Sequence, residues 1–88
     1  MTYRIYLLPR AWRDIKKLDN ATKEKIASAL DDLAQNPTQG KCLKGRYKGL
    51  RSMHVANFRI VYEVLKGESK IAVWVIKVRP KAYKWILG

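Results

Sequence analysis

The chain has 88 residues, with 19 Lys plus Arg against 7 Asp plus Glu and a formal net charge of +12, a length that suits one domain, residues 1–88, around a single core. So strong a field on so small a body bears on partners rather than on fold, and its candidates are nucleic acid, an acidic protein or an anionic membrane surface. Cys42 stands alone, which excludes an internal disulfide. The N-terminus lacks a signal peptide's pattern and no apolar run approaches the roughly 20 residues that span a bilayer, so the expected setting is a reducing cytoplasm and not a membrane.

Thr2 to Leu8 alternates, with Tyr3, Ile5 and Leu7 on one side and Arg4 and Tyr6 on the other, and Pro9 ends this strand and opens a helix. Leu8, Trp12, Ile15 and Leu18 then recur at helical spacing, with Arg10, Arg13, Lys16 and Lys17 on the outer face. Asp19-Asn20 breaks the pattern, and Asn20 is the expected N-cap of a second helix. Its stripe is Ile26, Leu30 and Leu33 with Ala27 and Ala34, and it ends where Asn36 precedes Pro37. Pro37 to Gly49 reads as a basic loop. Three strands follow, about Leu50 to Val55, Phe58 to Leu65 and Ile71 to Val78, joined by turns short enough to require antiparallel pairing. The last strand is the most apolar and is expected at the centre. Pro80 opens a short terminal helix through Tyr83, Ile86 and Leu87. The expected class is α+β: an N-terminal strand, a two-helix hairpin packed on a mainly antiparallel four-stranded sheet, and a short C-terminal helix.

Charge is concentrated in the second half, where residues 41–88 hold 12 of the basic and 2 of the acidic side chains. Lys41, Lys44, Arg46, Lys48 and Arg51 fall within eleven residues free of Asp and Glu, interleaved with Tyr47 and Leu50. That composition suits a surface facing phosphates, although a solvated charge run has the same look. One Cys, one His and scattered acids supply no metal-ligand cluster, no Ser-His-Asp signature is present, and Gly40, Gly45 and Gly49 lack the spacing of a phosphate loop. Strand parity narrows the remaining inventory. If Met53 and Val55 point inward with Ile60 and Tyr62, then Ser52, His54 and Arg59 share the open face. Lys77 has the parity of Val73 and Val75, and Arg79 follows if the strand continues. His54, Arg59 and Arg79 can then converge, with Tyr83 brought near by the turn at Pro80. His54 reads equally as a surface histidine, Arg59 as a partner of Glu63 or a helix acid, and Tyr83 as packing for the terminal helix.

Leu43-Lys44-Gly45, the strand Asn57-Phe58-Arg59-Ile60-Val61-Tyr62-Glu63 and the segment Val78-Arg79-Pro80-Lys81-Ala82-Tyr83 resemble the RelE/ParE toxin superfamily of type II toxin-antitoxin modules, and the likeness covers nearly the whole chain. The resemblance implies a RelE-like fold and, for the RelE branch, metal-independent and cofactor-free cleavage of messenger RNA on the ribosome. The comparable arginines and tyrosine fall on Arg59, Arg79 and Tyr83, with His54 as an alternative acid or base. Lys41, Lys44, Arg46, Lys48 and Arg51, joined by Lys77 and Lys81, would contact RNA backbone. The implied partners are the ribosome with its messenger and a short acidic antitoxin that covers the basic face. The chain has Ser52 and His54 where many relatives carry basic residues, and Val78 where many carry a histidine. The ParE branch shares the scaffold and inhibits DNA gyrase without a nuclease site, and an RNA-binding domain without catalysis is the third reading.

Overall fold

The structure, a computed structural model, describes residues 2–78. The chain runs β1 (Arg4–Leu7), α1 (Pro9–Lys16), α2 (Asn20–Gln35), β2 (Lys41–Cys42), β3 (Leu50–Val55), β4 (Phe58–Leu65) and β5 (Lys70–Val78), with 3-10 turns at Gly45–Tyr47 and Lys66–Glu68. The strands form one sheet in the order β1-β5-β4-β3-β2. β1 lies parallel to β5, and the other pairings are antiparallel. The expected α+β architecture is present, with five strands in place of four. The addition is β2, two residues inside the stretch expected to be loop, paired through Lys41 with Ser52 and Cys42 with Arg51. Two residues have no periodicity to read, so only the long-range pairing reveals them. The expected terminal helix, with Arg79, Lys81 and Tyr83, lies outside the described residues. Among those residues no helix is long and apolar enough to cross a membrane.

The helices cover one face of the sheet. Ile26, Leu30 and Leu33 of α2 and Ala11 of α1 bury against Ile60 and Tyr62 of β4 and Ile71, Val73 and Ile76 of β5, with Ile5 and Leu7 of β1 packed at the side. Each fully buried aliphatic side chain contributes about 1.5–3 kcal/mol. In the sheet order the middle place belongs to β4, not to β5 as its composition predicts; β5 lies between β1 and β4. A bulge divides it: Val61 pairs with Val75 but Tyr62 with Val73, leaving Trp74 as the extra residue. A single insertion exchanges the faces of everything beyond it. Val73 therefore packs under the helices while Val75 packs with Val61 on the other face, and Lys77 shares parity with Val75 alone, not with both valines.

Two further expectations are corrected at the helices. The N-cap of α2 is Asp19 rather than Asn20, its Oδ1 accepting the Thr22 N–H at 2.9 Å, and hydrogen bonding from the Thr22 side chain and then its backbone holds the Asp19 carboxyl below its usual pKa. Helix α1 is turned away from the orientation the apolar spacing suggests. Trp12 is 53% exposed, while Ala11 and Asp14 are buried. The cause is the edge of β5. β1 ends at Leu7, paired with Val73, and the edge beyond is met by α1: Ile76 N–H donates to Asp14 Oδ2 at 3.1 Å, and Lys77 Nζ lies 2.6 Å from Asp14 Oδ1. An unsatisfied strand N–H costs more than an exposed indole, and Ala11 lets the helix approach closely.

Candidate functional site

The face of the sheet away from the helices is built by β3 and β4, joined through the two-residue turn Ala56-Asn57. Their register sets His54 opposite Arg59 and Ser52 opposite Val61. Arg59 is 8% exposed. Its Nη1 donates to Ser52 Oγ at 3.1 Å, and its Nη2 meets His54 Nε2 at 2.5 Å. A guanidinium has donors only, so Nε2 must present its lone pair and the imidazole proton sits on Nδ1 in this contact. The hydroxyl and the imidazole compensate part of the burial of the guanidinium with hydrogen bonds. Glu63 is not the partner of Arg59: it lies four residues on, about 13 Å along the strand, opposite Leu50 and Ala72.

These residues border an open cleft of 540 Å³ lined by Gln39, Gly40, Lys41, Cys42, Leu43, Ser52, Met53, His54 and Arg59. Beside it the 43–49 segment folds over the sheet, with Leu43, Tyr47 and Leu50 packed on Val61, Val75 and Trp74. That apolar underside presents Lys44, Arg46 and Lys48 outward, and all three are exposed. Gly45 and Gly49 take φ of 69° and 100° at the ends of the turn, a region that costs a side chain.

The structure thus brings Arg59, His54 and Lys41 to one cleft and sets Lys44, Arg46 and Lys48 on the neighbouring loop. Two other expected RNA contacts have partners within the protein. Arg51 lies on the helix-side face of β3 and donates through Nη1 to the carbonyls of Gly40 (2.8 Å) and Thr38 (3.3 Å). Lys77, in register with Arg59, reaches Asp14. Ser52 had a place on the open face but no role, and its contact with Arg59 depends on the distance between strands, which sequence parity leaves open. Among the described residues no three His, Cys, Asp or Glu side chains converge as metal ligands.

A second polar group is buried on the helix side of the sheet. Tyr62 Oη accepts the Gly40 N–H at 3.0 Å and donates to the Pro37 carbonyl at 2.9 Å. Burial pushes its phenol above the ordinary 10.0, against the opposing pull of the Gly40 bond and the Arg51 charge. A Cβ on Gly40 would lie 2.5 Å from Tyr62 Oη and 2.7 Å from the Ser52 carbonyl. Only glycine fits between phenol and strand.

The sequence profile of a family described as the ParE toxin of the type II toxin-antitoxin system parDE matches residues 5–85. No curated protein matches the sequence significantly. Among solved structures, the chain is similar to one in the RelBE2 toxin-antitoxin complex of Mycobacterium tuberculosis, at 22% identity and a TM-score of 0.83, over 90% of this chain and 100% of that one. It is similar to one in the intact RelBE toxin-antitoxin complex of E. coli, at 20% identity and a TM-score of 0.77, over 88% and 96%. A YoeB/ParE toxin from Agrobacterium tumefaciens gives 23% identity and a TM-score of 0.76, over 86% and 98%. At these identities the likeness is one of fold.

Proposed function

Given that this chain belongs to the ParE toxin family of type II toxin-antitoxin systems, we propose that it is a metal-independent endoribonuclease that cleaves messenger RNA on the ribosome and so stops translation in the cytoplasm. One observation carries the reading: the buried Arg59 guanidinium is held by a hydroxyl and an imidazole on the wall of a cleft that also holds Lys41. Those groups suit a phosphodiester. The RNA 2′-hydroxyl attacks its own adjacent phosphorus, forming the P–O2′ bond and breaking the P–O5′ bond, so that a 2′,3′-cyclic phosphate and a 5′-hydroxyl result. Arg59 donates planar, charge-assisted hydrogen bonds to the pentacovalent phosphate. As the phosphate takes Nη2, His54 Nε2 is released to accept the 2′-hydroxyl proton.

Arg79 as a second phosphate clamp, Tyr83 as the other proton carrier and Lys81 as a backbone contact belong to the same proposal, on residues outside those described. Lys44, Arg46 and Lys48 take ribosomal RNA backbone. The ribosome supplies the ordering of the scissile bond that one small cleft does not. An acidic antitoxin is the matching protein partner: the M. tuberculosis and E. coli neighbours are toxin-antitoxin complexes, and a net charge of +12 favours fast association with an acidic segment.

The description of the matched family as ParE favours a second reading, non-enzymatic inhibition of DNA gyrase. Toeprinting of a translated messenger with the purified protein, beside a gyrase supercoiling assay, separates the two. New 5′ ends within the messenger that vanish in Arg59→Ala are expected. Intact messenger with blocked supercoiling would overturn the nuclease reading.

A further inference from the structure

The outer face of α1 has a composition that the cleft does not use. At about 100° per residue, the buried third of this helix is Ala11, Asp14 and the half-buried Ile15, and the rest presents Trp12, Lys16, Arg13, Lys17 and Arg10. Asp14 is the helix's one acid, and it is turned inward onto Ile76 N–H and Lys77, which leaves the exposed arc uniformly cationic. Trp12, 53% exposed, stands within it, and Lys16 Nζ lies 6.0 Å from the centre of its ring. That is the outer limit of a cation–π contact, with the ammonium over one face of the ring, so a base would stack on the other.

From this arrangement we infer that α1 is a second RNA contact, in which an unpaired base stacks on Trp12 while Arg13, Lys16 and Lys17 neutralise the flanking phosphates. The inference extends the RNA-directed reading above and rests on it for the identity of the polymer. A flat ring in a field of one sign is how proteins hold single strands: stacking tolerates any base, and the cations follow the backbone. A protein-binding patch is built differently, from contiguous apolar area depleted in charge, whereas here the exposed large hydrophobic residues among those described are Tyr6 and Trp12. Position agrees as well. The inner face of α1 grips Lys77, the cross-strand neighbour of Arg59, so the helix flanks the same end of the sheet as the cleft.

The test is binding of a fluorescent single-stranded RNA decamer and of an RNA duplex of equal length, by anisotropy across a salt series, to the full chain and its variants. Trp12→Ala is expected to weaken the single strand about tenfold and leave the duplex, whose bases are already stacked, unchanged. Trp12→Phe retains most of the affinity. Arg13→Glu with Lys16→Glu weakens both RNAs and flattens the salt dependence. Undiminished single-strand binding by Trp12→Ala, equal loss on strand and duplex, or loss of an acidic antitoxin segment with RNA binding intact would each overturn the proposal. Melting curves verify that the variants are folded, and Trp12→Leu, apolar but without a flat ring, carries the test with the same selective loss should the alanine variant prove unstable. Because binding is read rather than cleavage, this surface and the nuclease reading fail separately.

Discussion

Tyr62 and Arg59 stand three residues apart on β4, on opposite faces of the sheet, and each buries a polar head. Tyr62 is held by backbone, the Gly40 N–H and the Pro37 carbonyl, partners that cannot be exchanged without moving the segment 37–40. Arg59 is held by the side chains of Ser52 and His54, which rotate, and it borders an open cleft. The two arginines of the hairpin repeat the contrast, since Arg51 donates to the carbonyls of Thr38 and Gly40 on the helix side. Burial alone therefore does not mark a functional residue in this sheet. On the proposed reading, what separates them is whether a ligand can replace the partner.

The widest separation between the faces is expected from Arg59→Ala and Tyr62→Phe. Losing a preorganised donor to a developing oxyanion costs about a hundredfold or more in rate, so Arg59→Ala should abolish the proposed cleavage in a toeprint while the chain still folds. Tyr62→Phe leaves Gly40 N–H and Pro37 C=O buried without their phenol, a loss of about 1–3 kcal/mol, with cleavage per folded molecule preserved. If Tyr62→Phe proves inactive though folded, or Arg59→Ala unfolds, the division between faces is wrong. Next in size is Gly40→Ala. Its new Cβ meets a pinned phenol and a strand carbonyl, neither able to withdraw, and overpacking of this kind costs about 1–3 kcal/mol, readable as a lower urea midpoint. Smaller again is Ser52→Ala. Ser52 acts through Arg59, so the expected loss is about threefold to tenfold in kcat with KM nearly constant. An equal rise in KM would instead make Ser52 a binding group.

Much of this division was legible in the alternation of Phe58 to Val64, which by itself sets Arg59 on the face opposite Ile60 and Tyr62. The hairpin turn then brings His54 and Ser52 beside it, as the parity of β3 requires. Three features were not legible. The bulge at Trp74 adds one residue without a compositional signal, and it separates Val73 from Val75. The orientation of α1 follows from an N–H on another strand, so apolar spacing misassigned Trp12. The partners of Arg51 and Lys77 are set by tertiary contacts, which a count of basic residues cannot distinguish from free surface charge. In the last two cases the missing term is a hydrogen bond or an ion pair between residues distant in sequence.

The smallest expected effect isolates the helix-side face by pH. Burial raises the Tyr62 phenol above 10.0 in the folded chain, whereas in the unfolded chain it ionises near its ordinary value of about 10. Below that pH both states keep the proton, and the residue's contribution to stability is whole. As pH rises past about 10 the unfolded chain releases a proton that the folded chain retains, so unfolding becomes more favourable, with a limiting slope of about 1.4 kcal/mol per pH unit for one proton. The loss ends only when pH passes the raised folded pKa. Tyr62→Phe has no such proton. Lysines and the other tyrosines titrate in both proteins, and subtracting one stability curve from the other removes them. The difference in unfolding free energy between the two proteins should accordingly be flat at neutral pH and narrow from about pH 10 upward, measured by urea denaturation at each pH. A gap that stays constant or widens through that range would mean that the phenol ionises as readily folded as unfolded, and that the backbone partners of Tyr62 are as exchangeable as the side chains around Arg59.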